Sequence, residues 1–184
     1  MSNSVEEAVT FFAYGSNMLT ARMAERVASA RVAGTARLER FALRWTKPSQ
    51  DGSGKCSIED TGGREDTVWG VLYELDAADK KRLDEFEGVG RGYEERRVTV
   101  LSNGQSREVV AYYATAVDAN IRPYDWYREL VIAGAREHEL PREYIQGLEA
   151  VDVAVDSNAE RAARARQALA VAQSPPGSAD RRQG

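Results

Sequence analysis

The residues from Phe11 to Asn17 place an apolar, strand-like run directly before a Gly-Ser-Asn turn and a helix-like stretch. A helix that begins near Met18 leaves its first backbone N–H groups without acceptors in the helix. Ser16 or Asn17 can cap some of these groups, and the others are free to hold a carboxylate or a developing oxyanion. Many α/β proteins use the same pattern only to change chain direction. The segment therefore has two interpretations, an anion site and a structural turn.

The acid-rich segment from Asp76 to Gly88 predicts a short helix, with Asp76 as its N-cap and Gly88 as its C-terminal stop. At about 100° per residue, Glu87 projects within about 40° of Leu83, whereas Glu85 projects about 200° from it. We therefore expect Glu87 at the edge of the buried face and Glu85 in solvent. Partial burial and the negative end of the helix dipole favour protonation of Glu87, as a general acid/base requires. The plain alternative is one more solvated acid.

Length and composition indicate one globular domain, since the chain of 184 residues is 42% hydrophobic with a net charge of −4. The acidic balance argues against nucleic acid as a partner. Without a membrane-length apolar run or a basic signal-peptide region, we expect a cytoplasmic protein with no membrane partner. One cysteine and one histidine, Cys56 and His138, cannot assemble the usual zinc spacings, so we expect no metal. We interpret Cys56 as a small apolar strand residue and His138 as a surface residue.

Apolar periodicity and turn residues divide the chain into strands and helices. We expect Gly62-Gly63 to connect one hairpin and Asn103-Gly104 a second. The pattern favours an α+β fold, a small mixed barrel-like sheet with flanking helices, as one domain over 1–157. Residues 158–184 are predicted to form a C-terminal helix and a disordered tail that begins at Ser174. The predicted strands are 9–14, 37–45, 55–60, 67–75, 93–101 and 108–114. The first predicted helix has Leu19, Met23 and Val27 on its apolar face, and the other predicted helices are 76–88, 124–139, 141–150 and 158–172.

Several short motifs occur in a fixed order between residues 9 and 150. They are Tyr14-Gly15-Ser16-Asn17, Val68-Trp69-Gly70-Val71, the Leu-Asp-Glu-Phe-Glu-Gly run at 83–88, Gly92-Tyr93, Tyr112-Tyr113, Trp126-Tyr127 and the segment 134–141. Their order and spacing resemble the γ-glutamylcyclotransferase family. The resemblance implies that family's fold and a cofactor-independent cyclisation of a γ-glutamyl amide to 5-oxoproline, with release of the amine. It also implies that Glu87 is the catalytic acid/base and that the substrate contacts Tyr14, Gly15, Ser16, Asn17, Tyr93, Tyr113 and Tyr127.

The implied reaction needs no nucleophile, metal or cofactor from the protein, because the α-amine of a γ-glutamyl amide can itself attack the γ-carbonyl and close a five-membered lactam. The site must fold the substrate, supply donors to the oxyanion and move a proton between the two amines. The turn at 14–17 suits the first two tasks and Glu87 the third. Ser16 is a poor covalent nucleophile, since it lacks the glycines of a nucleophile elbow and has only His138 as a candidate base.

Three alternatives stay open at this point. Each tyrosine can be a core residue with its hydroxyl at the rim, and a one-residue shift in the strand would exchange Tyr112 and Tyr113. The leaving group can be an amino acid or dipeptide, or the amine of a natural product protected by a γ-glutamyl group. A non-catalytic small-ligand module of the same fold is the alternative from another class. A homodimer also stays open.

Overall fold

The computed structural model describes residues 8–173, which contain seven strands and five α-helices. The strands are β1 (Val9–Ala13), β2 (Arg31–Glu39), β3 (Phe41–Pro48), β4 (Gly54–Asp60), β5 (Thr67–Leu75), β6 (Tyr93–Ser102) and β7 (Gln105–Ala114). The helices are α1 (Thr20–Arg26), α2 (Ala77–Glu87), α3 (Asp125–Glu137), α4 (Arg142–Glu149) and α5 (Ala159–Ala172). A short 3-10 turn, Ser16–Met18, connects β1 to α1.

Five of the strands close into a barrel, in the spatial order β1-β5-β2-β6-β7. β1 pairs antiparallel with β5 and parallel with β7, and so joins the two ends of the sheet. Closure pairs the strands that would otherwise be edges. The predicted α+β fold, with a small mixed barrel-like sheet and flanking helices, is confirmed.

The predicted hairpin between 55–60 and 67–75 is wrong. β5 lies between β1 and β2 in the barrel, whereas β4 pairs with β3 in a separate two-stranded sheet. The reason is visible in β5, where Val68 and the run from Gly70 to Tyr73 are buried. A strand covered on both faces is a central strand, and its neighbours come from distant parts of the chain.

The single strand predicted over 37–45 is in fact the end of β2 and the start of β3. Arg40 separates them with a left-handed backbone conformation at φ 70°. Since no Gly, Pro or Asn stands at this break, composition alone does not reveal it.

The hairpin predicted around Asn103-Gly104 is confirmed. Ser102 pairs with Gln105, which leaves a two-residue turn between β6 and β7. Asn103 and Gly104 have φ values of 49° and 75°, as a type I′ turn requires at both of its central positions.

The five predicted helices are all present, with ends shifted by a few residues. Gly88 ends α2 in the left-handed conformation, as predicted, but the side chain of Asp76 makes no capping hydrogen bond. Asn158 does cap α5, because its side chain accepts a hydrogen bond from the Arg161 N–H at 3.0 Å. The tail predicted from Ser174 onward lies outside the described residues, and the division at residue 157 stays a prediction. Within residues 8–173, no helix is long and apolar enough to cross a membrane.

Helix α3 packs directly on the turn that follows β1. Gly134 makes this approach feasible, since a Cβ there would lie 2.5 Å from the backbone nitrogen of Leu19 and 2.7 Å from the Cβ of Met18. The neighbouring atoms are mostly backbone and do not move freely. Gly134 therefore sets the distance between α3 and the Ser16–Met18 turn.

We expect Gly134→Ala to lower the free energy of unfolding by about 1–3 kcal/mol, because the added methyl group overpacks this contact. Gly147→Ala in α4 is the matched control, since a Cβ there meets nothing within 4 Å. The control should be stabilised by roughly 0.5–1 kcal/mol through helix propensity. Urea unfolding of both variants measures the difference, and equal stabilisation at the two positions would contradict the packing argument.

Candidate active site

The Gly15-Ser16-Asn17 turn leaves backbone donors without acceptors. The 3-10 turn is closed by hydrogen bonds from the Met18 N–H to the Gly15 oxygen at 3.0 Å and from the Leu19 N–H to the Ser16 oxygen at 3.3 Å. The N–H groups of Ser16 and Asn17 donate to no acceptor in the described part of the chain. They are therefore available to a ligand oxygen, as the anion-site interpretation expects.

The expected side-chain caps are absent from this turn. Ser16 Oγ accepts a hydrogen bond from Arg22 Nε at 3.0 Å. Asn17 Oδ1 accepts one from Arg26 at 2.9 Å. Since both side chains bind arginines of α1, they do not compete with a ligand for the N–H groups of the turn.

Glu87 meets the turn at the C-terminal end of α2. The amide nitrogen Nδ2 of Asn17 donates to Glu87 Oε1 at 2.8 Å, although the two residues are 70 positions apart. Arg26 forms a salt bridge with the same oxygen. The Glu87 side chain is 16% exposed, whereas Glu85 lies in solvent. The predicted placement of both acids is confirmed.

The environment of Glu87 contains a charge that the sequence did not reveal. Burial and the helix dipole are the influences expected from the sequence, and the structure adds the Arg26 cation and the Asn17 amide, both at Oε1. Arg26 was not identified from the sequence; its only signal is its position on α1, shortly after the turn. No described residue donates to Glu87 Oε2, so this oxygen can accept a proton from a ligand.

A pocket opens between the turn and Glu87, and its walls are mainly aromatic. The residues that line it are Phe11, Phe12, Ala13, Tyr14, Gly15, Ser16, Asn17, Cys56, Glu87, Tyr93, Tyr112 and Tyr127. Among the tyrosines, Tyr14 donates its hydroxyl hydrogen to the Tyr112 carbonyl oxygen at 2.5 Å, and Tyr93 donates to the Cys56 carbonyl oxygen at 2.8 Å. These two hydroxyls bind the backbone and hold the walls together.

Tyr127 differs from the other two because its hydroxyl oxygen accepts a hydrogen bond, from the Cys56 N–H at 3.2 Å. The same hydroxyl also forms a hydrogen bond with the Cys56 side chain. Burial raises the pKa of Tyr127 well above its ordinary value, and the nearby Cys56 adds to the effect. Tyr127 thus remains a neutral donor at physiological pH.

Tyr113, which was expected to contact the substrate, lies outside the pocket. Tyr112 lines the pocket instead. Side chains alternate along β7, so the two residues point to opposite faces. Tyr113 packs against the Arg96 guanidinium at 4.5 Å and edge-on against Phe41. The sequence around this pair is apolar on both sides, and it does not show which tyrosine faces the barrel interior.

Cys56 lies buried on β4 and lines the pocket, which agrees with its interpretation as a small strand residue. Burial raises the pKa of its thiol to about 12. His138 is not the surface residue expected, since its side chain is 11% exposed and its Nε2 lies 3.1 Å from Thr20 Oγ1. It does not line the pocket. No group of three metal-ligating side chains occurs among residues 8–173.

Comparison with known proteins identifies the family to which the chain belongs. The AIG2-like family matches residues 67–148. The γ-glutamylcyclotransferase of Bos taurus is 34% identical over 154 residues, which cover 79% of this chain and 80% of that protein. The chain belongs to the γ-glutamylcyclotransferase family. The Homo sapiens γ-glutamylcyclotransferase is 33% identical over 80% of each chain. A solved γ-glutamyl cyclotransferase structure has a TM-score of 0.79 at 30% identity and covers 88% of this chain and 99% of its own.

We expect Cys56 to resist iodoacetamide in the folded protein at about pH 8. A thiol whose pKa is raised to about 12 remains protonated there, and only the thiolate reacts quickly. In denaturant the same cysteine should be alkylated, which provides the internal control. Intact-protein mass spectrometry measures the modified fraction. Rapid alkylation of the native protein would show that the thiol is exposed or ionised.

Proposed function

We propose that this protein converts γ-glutamyl amides to 5-oxoproline and the free amine, with Glu87 as general acid/base. One observation carries the proposal. The Asn17 amide donates to the Glu87 carboxylate at 2.8 Å, so the proton carrier and the unpaired N–H groups of the turn meet in one pocket. Membership of the γ-glutamylcyclotransferase family supports the same activity.

In the proposed reaction, the Glu87 carboxylate takes a proton from the α-ammonium group of the substrate. The free amine attacks the γ-carbonyl carbon, and the new C–N bond places a negative charge on the carbonyl oxygen. The N–H groups of Ser16 and Asn17 hold this oxyanion. The bond to the leaving nitrogen then breaks as Glu87 returns the proton to it. The carboxylate next takes the second proton from the ring nitrogen and passes it to the released amine. The products are 5-oxoproline and the protonated amine, and Glu87 is again ionised.

Positioning provides most of the acceleration in this scheme. An intramolecular attack held in the reactive geometry can remove about 7–11 kcal/mol from a barrier. General acid/base catalysis adds roughly 10²- to 10⁴-fold in rate. The aromatic walls fold the substrate, while Arg26 and Asn17 hold the Glu87 carboxylate in place. Ser16 is not required as a nucleophile, because its hydroxyl binds Arg22 and His138 does not line the pocket.

The alternatives are a non-catalytic module of this fold and enzymes that act on different leaving groups. A non-catalytic module of this fold has no need for a carboxylate whose Oε2 receives no hydrogen bond from the described residues, so the geometry favours the enzyme. An amino acid, a dipeptide and a protected natural-product amine all remain candidate leaving groups. Detection of 5-oxoproline from γ-glutamyl-alanine by mass spectrometry tests the activity itself. The cytoplasmic location and the homodimer stay predictions.

We expect Glu87→Gln to lower turnover by at least 10²- to 10⁴-fold on γ-glutamyl-alanine, with far less change in substrate affinity. The amide keeps the shape of the side chain but cannot accept the proton. Glu85→Gln is the control, since Glu85 lies in solvent on the same helix. Circular dichroism checks that both variants fold. Equal activities would mean that Glu87 is an ordinary helix-end acid.

We expect Gly15→Val to bind 5-oxoproline at least about 10-fold more weakly, since small displacements of positioning groups are costly. A Cβ at residue 15 would lie 3.1 Å from the Cys56 Cβ and 3.4 Å from the Tyr127 hydroxyl. Larger side chains must therefore push the turn away from β4 and Tyr127. Gly147→Val, in open space on α4, serves as the control. Isothermal titration calorimetry measures the affinity of both variants for 5-oxoproline. Normal binding by a folded Gly15→Val protein would mean that the turn only connects β1 to α1.

A further inference from the structure

Arg22 is a cation close to the pocket, and it forms no salt bridge with a described residue. Its Nε donates to Ser16 Oγ at 3.0 Å, and Ser16 lines the pocket. The other N–H groups of the guanidinium meet no acceptor, and no carboxylate pairs with it, among residues 8–173. The side chain is half-buried rather than free in solvent. Arg22 does not itself line the pocket but lies one hydrogen bond behind its wall, at Ser16. A half-buried guanidinium with unpaired N–H groups in that position can receive an anion.

The neighbouring cations are already neutralised. Arg26 forms its salt bridge with Glu87, and Lys55 pairs with Asp51 at 2.7 Å. Both cations lie within the electrostatic range of Arg22, because Arg26 lowers the pKa of Arg22 and Arg22 lowers that of Lys55. Of these three cations, Arg22 alone has no salt bridge with a described residue, although Glu25 also acts on it electrostatically.

Burial is the main cause that lowers the pKa of Arg22, and the like charge of Arg26 is the next. Tyr127 and Glu87, two pocket residues, act in the opposite direction. Arg22 thus lies within the field of the reacting groups, in a place where its charge is poorly solvated. An anion bound there would relieve both penalties.

We propose that Arg22 binds a carboxylate of the substrate and so determines which γ-glutamyl compounds the site accepts. This inference rests on the proposed function. The hydrogen bond to Ser16 fixes one edge of the planar guanidinium, and the free N–H groups remain for a paired interaction with two carboxylate oxygens. A γ-glutamyl amino acid offers two such groups, the glutamyl α-carboxylate and the carboxylate of the leaving amino acid.

The test compares wild type and Arg22→Gln on three substrates: γ-glutamyl-alanine, its leaving-group amide γ-glutamyl-alaninamide, and its glutamyl α-amide. On γ-glutamyl-alanine, kcat/KM should fall about 10- to 100-fold, the loss typical of a charged hydrogen-bonded pair. One of the two amides lacks the carboxylate that Arg22 binds, and on that amide Arg22→Gln and wild type should have equal kcat/KM. The amide that shows this result identifies the carboxylate. Arg22→Lys should recover part of the loss, since it keeps the charge without the planar fork.

Arg31→Gln is the charge-matched control, because Arg31 lies exposed on β2; it should behave as wild type on all three substrates. If Arg22→Gln lowers kcat/KM equally on all three substrates, Arg22 only orients Ser16. If it lowers kcat/KM on none of them, Arg22 has no role. Either result overturns the inference. Calorimetric binding of the same compounds tests the carboxylate contact independently of turnover. A wild-type protein that binds them with the expected Arg22 dependence but forms no lactam would contradict the proposed function alone.

Discussion

The contact of Glu87 with Asn17 and Arg26 is the interaction on which the site depends. A carboxylate at the C-terminal end of a helix faces the negative end of the dipole, and partial burial adds a desolvation cost. Arg26 and the Asn17 amide offset both penalties on one oxygen. They also leave Oε2 without a donor from the described residues. The same contact therefore fixes the Glu87 carboxylate beside the turn.

The scaffold serves this contact by fixing the turn from two sides. β1 leads into the turn from within a closed barrel, where it pairs with β5 from Val9 to Ala13 and with β7 at Phe11. α3 supports the turn through the close approach at Gly134. The hydroxyls of Tyr14 and Tyr93 bind backbone carbonyls across the pocket, so the walls resist rearrangement. A rigid turn is what a preorganised oxyanion site needs.

Local signals in the sequence carried the predictions that proved correct. Gly88 ends α2, Asn103-Gly104 forms the type I′ turn, and helical spacing separates the half-buried Glu87 from Glu85. Two failures are local, the missed break at Arg40 and the missing side-chain cap at Asp76. The others concern long-range contacts. Nothing local shows that β5 pairs with β1 and β2, or that the barrel selects Tyr112 over Tyr113. Arg22 and Arg26 were missed for the same reason, since their partners are defined only once α1 packs beside the turn and α2.

A crystal structure of the complex with 5-oxoproline would show how the turn and Glu87 divide the proposed work. We expect the lactam nitrogen to lie within hydrogen-bond distance of Glu87 Oε2 and the lactam oxygen to accept hydrogen bonds from the N–H groups of Ser16 and Asn17. The proposed reaction needs both contacts at once, because one carries the proton and the other the negative charge. A product bound with its lactam nitrogen away from Glu87, or with its lactam oxygen away from the turn, would rule out these roles.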